Sequence, residues 1–147
     1  MNTKPTVDDY RALAAIRHRI RGYINFSQRT VHNAGLEPRQ YQLMLALKDL
    51  PDNVRPRITE LARQLEAQHH STVELVNRSE QMGLVRREHG TVDKRERLIR
   101  LTVTGERVIE QLVKLHLAEM DARGPNLLRA LQTVLCRNGT KRKIRVP

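Results

Sequence analysis

Tryptophan is missing from this chain, phenylalanine occurs once, and aromatic residues fill only 3% of its 147 positions. Proteins that hold RNA loops or single strands stack bases on aromatic rings, so this composition argues against such a platform. The lone cysteine, Cys136, cannot close an internal disulfide and agrees with a reducing compartment. No stretch approaches the ~20 apolar residues of a membrane span, and nothing near the N-terminus has the apolar core of a secretory signal. A cytoplasmic location without a membrane partner is therefore expected. The HExxH, CxxC, phosphate-loop and GxSxG signatures do not occur either, so neither an enzyme nor a cofactor is expected.

What the chain has is positive charge. Its formal net charge is +11 and its pI about 10.8, with five basic and no acidic residues in positions 137–147. Such a balance attracts polyanions, and with so few aromatics the fitting one is double-stranded DNA. The hydrophobic share, 39% of the chain, is enough for one domain with a real core.

Periodicity gives the order of elements. Val7, Leu13, Ile16, Ile20, Tyr23, Ile24 and Val31 recur mainly at threes and fours, which predicts one long amphipathic helix ended by Gly35. Pro38 suits an early position of a second helix that stops before Pro51. Thr59 is the expected cap of a short third helix, and a fourth is predicted from His69 to Met82, stopped by Gly83. The period then changes to two around Leu84 and Val85, and again around Ile99 and Leu101, predicting a hairpin with its polar tip between His89 and Arg95. Thr102 or Thr104 should cap a helix running to about Ala122. A separate last helix is expected after Pro125, followed by a mobile basic tail.

A short helix, a turn, a second helix and a basic hairpin make the order of a winged helix-turn-helix. In the fourth helix Thr72, Leu75, Val76, Ser79 and Met82 share one side, while His70, Val73, Glu74 and Asn77 share the other. The second set mixes hydrogen-bonding groups able to read base edges with one apolar group able to meet a thymine methyl. An ordinary solvated face is the alternative. The segment "DKRERLIRLT", Asp93 to Thr102, mixes four basic and two acidic residues with an alternating apolar run that ends in threonine.

"ITELARQL", "STVELVNRSEQMGLVRR" and "DKRERLIRLTVTG" together resemble the multiple antibiotic resistance regulator (MarR) family of winged-helix transcription factors, from about Leu36 through the helix that carries Leu131. The resemblance implies a mainly α fold with a small β-hairpin wing, and a cytoplasmic homodimer that represses transcription from a palindromic operator. It implies four segments: residues 1–34 as an N-terminal dimerisation helix, 35–104 as the DNA-binding lobe, 105–136 as C-terminal dimerisation helices, and 137–147 as a basic tail. DNA contact then falls to His69, His70, Ser71, Val73, Glu74 and Asn77 on the recognition helix, and to Asp93, Lys94, Arg95 and Arg97 on the wing. In the family the wing aspartate pairs with the nearby arginine, here Asp93 and Arg95. Leu127, Leu128, Leu131, Val134 and Leu135 are the expected dimer contacts. A small aromatic or phenolic effector is implied, with Arg17, Arg21 and Tyr41 as its candidate lining. One departure stands out, since Ser79 occupies a position where the family usually has leucine on the buried side of the recognition helix.

Two other readings keep a place. The basic charge also suits an architectural DNA-binding protein without sequence preference. His69 and His70 with Glu74, or His116 with Glu119, have helical metal-ligand spacing, and Cys136 offers a thiol, so a metal- or thiol-responsive sensor is a further alternative. No metal site is assigned, and His116 is expected on a helix surface.

Overall fold

The computed structural model describes residues 4–136. Five helices and one hairpin follow in the order α1 (Val7–Asn33), α2 (Pro38–Asp49), α3 (Ile58–Gln64), α4 (His69–Gln81), β1 (Val85–His89), β2 (Arg97–Leu101) and α5 (Val103–Leu135). This is the mainly α fold with a β-hairpin wing that the sequence implied. The basic tail, residues 137–147, lies outside the described residues.

Local chemistry sets most boundaries. At the start of α1 the N–H and hydroxyl of Thr6 donate to Asp9 Oδ2 at 2.7 and 2.9 Å, and the Asp9 N–H returns a bond to the Thr6 hydroxyl at 3.3 Å, a reciprocal box that satisfies the first free donors. The ends of α1 and α4 are built alike. Gly35 and Gly83 take φ of 76° and 71°. The N–H of Leu36 then reaches the Val31 carbonyl at 3.1 Å, and that of Leu84 reaches the Ser79 carbonyl at 2.9 Å. A left-handed residue there turns the chain back on its own last carbonyls, which glycine does without a Cβ penalty.

Two expected boundaries move. Helix α3 starts at Ile58 with Arg57 in the capping position and no side-chain cap, so Thr59 lies inside the first turn. The cause is the preceding loop: the Pro56 carbonyl accepts the Ile99 N–H of β2 at 2.8 Å, holding the chain extended up to Arg57. Nor is there a break at Pro125, which sits inside the continuous helix α5. Proline removes one backbone donor, but "LAEMDAR" before it and "NLLRALQ" after it are helix formers that carry the helix across the gap.

The Thr102-x-x-Gly105 spacing has a steric basis. The Thr102 hydroxyl donates to the Gly83 carbonyl at 2.5 Å and accepts the Gly105 N–H at 2.9 Å, capping α5. A Cβ on Gly105 would lie 2.0 Å from the Leu84 carbonyl oxygen, so only glycine lets the new helix pass that close to the strand.

The chain forms two compact units. One spans residues 28–114; the other joins the described residues 4–27 and 115–136. The first holds the whole hydrophobic core, with Val31, Leu43, Met44, Leu61, Val76 and Ile99 fully shielded from water. In the second, the buried described residues are Asp9, Ala12 and His116. His116 therefore does not lie on the helix surface. Its Nε2 is 2.8 Å from the Ser27 hydroxyl, and the rings of Tyr23 and Phe26 meet it edge-on at centroid distances of 6.1 and 5.7 Å. An aromatic wall together with a polar partner lets an imidazole sit buried at this position.

Candidate nucleic-acid interface

Helix α4 is divided cleanly by burial. Thr72, Leu75, Val76 and Ser79 are at most 2% exposed and pack into the core. His69, His70, Glu74 and Asn77 are exposed, while Ser71 and Val73 are partly so. Met82, expected on the inward side, is exposed beyond the end of the helix. Its sulfur accepts a bond from Gln40 Nε2 at 3.2 Å, and the buried Gln40 also accepts the Glu37 N–H at 2.9 Å. This fixes the start of α2 against the end of α4.

Ser79 solves its burial locally. Its hydroxyl donates to the Leu75 carbonyl, one turn back, at 2.8 Å, so the polar group that replaces leucine is satisfied within its own helix.

The wing is an antiparallel pair in which Val85 faces Leu101, Arg87 faces Ile99 and His89 faces Arg97. Val85, Leu98 and Ile99 are buried, so the strands are anchored and the tip projects. The Asp93 carboxylate accepts the backbone N–H of Arg95 at 2.9 Å. Asp93 thus meets Arg95 through the backbone and not through the expected side-chain pair, and the Arg95 guanidinium stays available. Lys94 and Arg95 form no ion pair among the described residues and are exposed. Arg97 Nη1 lies 2.5 Å from His89 Nδ1 and 3.3 Å from the Lys94 carbonyl. Gly90 closes the tip, where a Cβ would come within 2.5 Å of the Asp93 carbonyl oxygen.

Several contributors were missed in the sequence. Glu96, at the tip end of the wing just before β2, has a side chain only 9% exposed and binds Arg55 at 2.5 Å and Arg57 at 3.3 Å. These two cations come from the loop before α3, and alternation within the hairpin gives no sign of them. Arg87 of β1 reaches α4, donating through Nη2 to Asn77 Oδ1 at 2.6 Å and through Nη1 to Glu80.

Arg17 and Arg21 are exposed on α1 in one unit, whereas Tyr41 is buried in the core of the other. A cavity of about 60 Å³ in the first of these units is lined by His18, Arg19, Tyr23, Glu119, Met120 and Arg123 among others, with neither Arg17 nor Arg21 in its wall. Among the described residues no three His, Cys, Asp or Glu side chains converge as a metal site. Cys136 is exposed. No described helix is long and apolar enough to cross a membrane.

Comparison with known proteins bears on this lobe most directly. A family model described as MarR family matches residues 34–96. The transcriptional regulator HosA of Escherichia coli O127:H6 is 40% identical over 70 residues, which are 48% of this chain and 50% of HosA. The chain thus spans about half the length of the curated relative it matches. Among solved structures, AbsC, a MarR family transcriptional regulator from Streptomyces coelicolor, superposes with a TM-score of 0.69 at 20% identity, over 92% of this chain and 95% of AbsC. A point mutant of S. aureus MepR, bound to an oligodeoxyribonucleotide, gives 0.62 at 18% identity over 72% and 75% of the two chains.

Proposed function

We propose that this chain, whose residues 34–96 match a family model described as MarR family, is a sequence-specific, DNA-binding transcriptional regulator acting as a homodimer on a palindromic operator. The observation that carries this reading is the division of α4: a face locked into the core and an opposite face that presents His69, His70, Glu74 and Asn77 to solvent. A rigid helix with exposed donors and acceptors fits the major groove. The wing offers Lys94 and Arg95 to the negative potential of a neighbouring narrow groove. The relative HosA is a transcriptional regulator and the neighbour MepR has been captured on an oligodeoxyribonucleotide, which supports the same reading.

Dimerisation is the second part of the proposal. Leu128, Leu131 and Leu135 are exposed, and Leu127 and Val134 are half-buried, in the unit that has almost no core of its own. A second copy supplies the missing apolar surface, and a two-fold dimer calls for a two-fold operator. The family resemblance further gives repression, relieved by a small aromatic or phenolic effector, as the regulatory sense.

Selection of bound sites from random duplexes tests the proposal. We expect one palindromic consensus, bound at physiological salt at least ~1000-fold more tightly than scrambled DNA. Equal affinity for all sequences, with a steep salt dependence, is the behaviour of an architectural DNA binder and would displace this reading.

A further inference from the structure

The recognition helix does not present Asn77 alone. Asn77 and Glu80 lie one turn apart on α4, and the Arg87 guanidinium of β1 reaches both, Nη2 at 2.6 Å from Asn77 Oδ1 and Nη1 against the Glu80 carboxylate. Arg87 is partly buried and Asn77 is exposed. Guanidinium is a donor only, with its N–H groups in a fixed fork, so the Asn77 atom facing it must be the carbonyl oxygen. That settles which way the amide points.

The consequence concerns the DNA base opposite Asn77. A free asparagine favours adenine because it offers an acceptor to the N6 amino group and a donor to N7 together. Here the acceptor is engaged by a charged donor, and such bonds are stronger than neutral ones. The oxygen is thereby turned toward Arg87 with one of its two lone pairs taken, and the group left fully free for the groove is the Nδ2 amino group with its hydrogens. This group suits a base edge made of acceptors, such as N7 and O6 of guanine or O4 of thymine.

We propose that Arg87 is a specificity-determining positioning residue: by holding the Asn77 carbonyl toward itself it makes Asn77 act on the groove chiefly as a donor, so that the lobe selects an acceptor edge, guanine foremost, where a free asparagine would select adenine. This rests on the DNA-reading role proposed above for α4. Glu80 completes the device by anchoring the other arm of the fork, so that the guanidinium cannot swing away with the amide.

The test is an affinity matrix. All four base pairs are placed in turn at each position of the selected half-site, and the parent, Asn77→Ala, Arg87→Ala and Glu80→Gln proteins are measured on each duplex, with thermal melting to verify folding. The position at which Asn77→Ala levels the preference is the one Asn77 reads. There the parent should favour guanine, and Arg87→Ala should move the ratio of adenine to guanine affinity upward by about fivefold or more, the size of a lost or gained base contact. Glu80→Gln should move it in the same direction by less, and it remains informative if Arg87→Ala does not fold. Uniform weakening on all four bases by both variants would overturn the proposal and leave Arg87 a phosphate or packing residue. A parent that prefers adenine there also overturns it, while the reading of DNA by α4 survives. A parent with no preference at any position overturns that reading and this inference together.

Discussion

The two compact units of this chain solve the problem of burial differently. Residues 28–114 close over a core in which apolar side chains from every helix and both strands are shielded. Residues 4–27 and 115–136 carry comparable apolar stripes on α1 and α5, yet Leu13, Ile20, Ile24, Leu117 and Leu128 are each about half exposed. Single exposed leucines are ordinary on a protein surface, but a run of them along two long helices signals a missing partner. On the proposed function, one unit holds the reading surface still and the other joins a second copy. The lesson is that amphipathic periodicity gives a helix's wet and dry sides without revealing whose surface will dry it.

That contrast breaks first at Leu131. Replacing it with aspartate puts a charge into the unit that lacks a core, where a second copy is expected to cover it, and burying an unpaired charge is prohibitive. The dimer should dissociate completely at micromolar concentration by sedimentation, and operator binding should vanish with it. The lobe of residues 28–114 should keep its own fold, read as retained cooperative unfolding. A variant that stays dimeric and binds normally would mean that other surfaces make the interface.

Gly105→Ala attacks the other side of the comparison. Its Cβ would meet the Leu84 carbonyl oxygen at 2.0 Å, and the clash is with backbone, which cannot swing aside. A loss of about 3 kcal/mol is expected, the upper end of ordinary overpacking, read from denaturant midpoints. A change below ~1 kcal/mol would show that α5 can enter the lobe by another path.

Within the lobe, helix and wing separate by what they touch. Asn77→Ala should cost about 1–3 kcal/mol on the selected operator and much less on scrambled DNA. Arg95→Ala removes a free cation, so it should weaken binding on every sequence and reduce the salt slope by about one. Equal losses on both duplexes for Asn77→Ala would move base reading to other residues of α4.

What was legible in the sequence divides along physical lines. The order of elements, the glycine stops at Gly35 and Gly83, a threonine cap at Thr102 or Thr104 and the two sides of α4 all follow from signals within one turn or one hairpin. The start of α3 and the burial of His116 came from contacts distant in sequence, whereas α5 continues through Pro125 on its local helix formers. Pro56 pairs with Ile99 and delays α3 until Ile58, and His116 is buried by Ser27, Tyr23 and Phe26, some ninety residues earlier. The same holds for the site. The exposed faces could be assigned from periodicity, but the Arg55 and Arg57 grip on Glu96 and the Arg87 grip on Asn77 could not, because each joins elements whose spacing in the chain says nothing of their contact. The aspartate of the wing was found by its motif, while its partner atom, a backbone N–H, is visible only in the folded turn.

The smallest effect expected is at Ser79, and it sharpens the account of the lobe's core. A hydroxyl with no exposure looks like a liability where a leucine would fill space. Its bond to the Leu75 carbonyl at 2.8 Å changes that balance, because the carbonyl is already served by the helix and the hydroxyl borrows it without breaking the ladder. Ser79→Ala removes the hydroxyl together with its partner requirement and gains a little helix propensity. Stability should therefore stay within about 0.5 kcal/mol of the parent, with operator affinity unchanged. Ser79→Leu adds bulk to a fully shielded position and should cost about 1–3 kcal/mol unless the neighbours repack. Paired denaturation curves check both. If leucine stabilises the lobe, the space around Ser79 is looser than its burial implies and serine is a cavity; if alanine costs more than ~1 kcal/mol, the hydroxyl bond contributes to the fold in its own right.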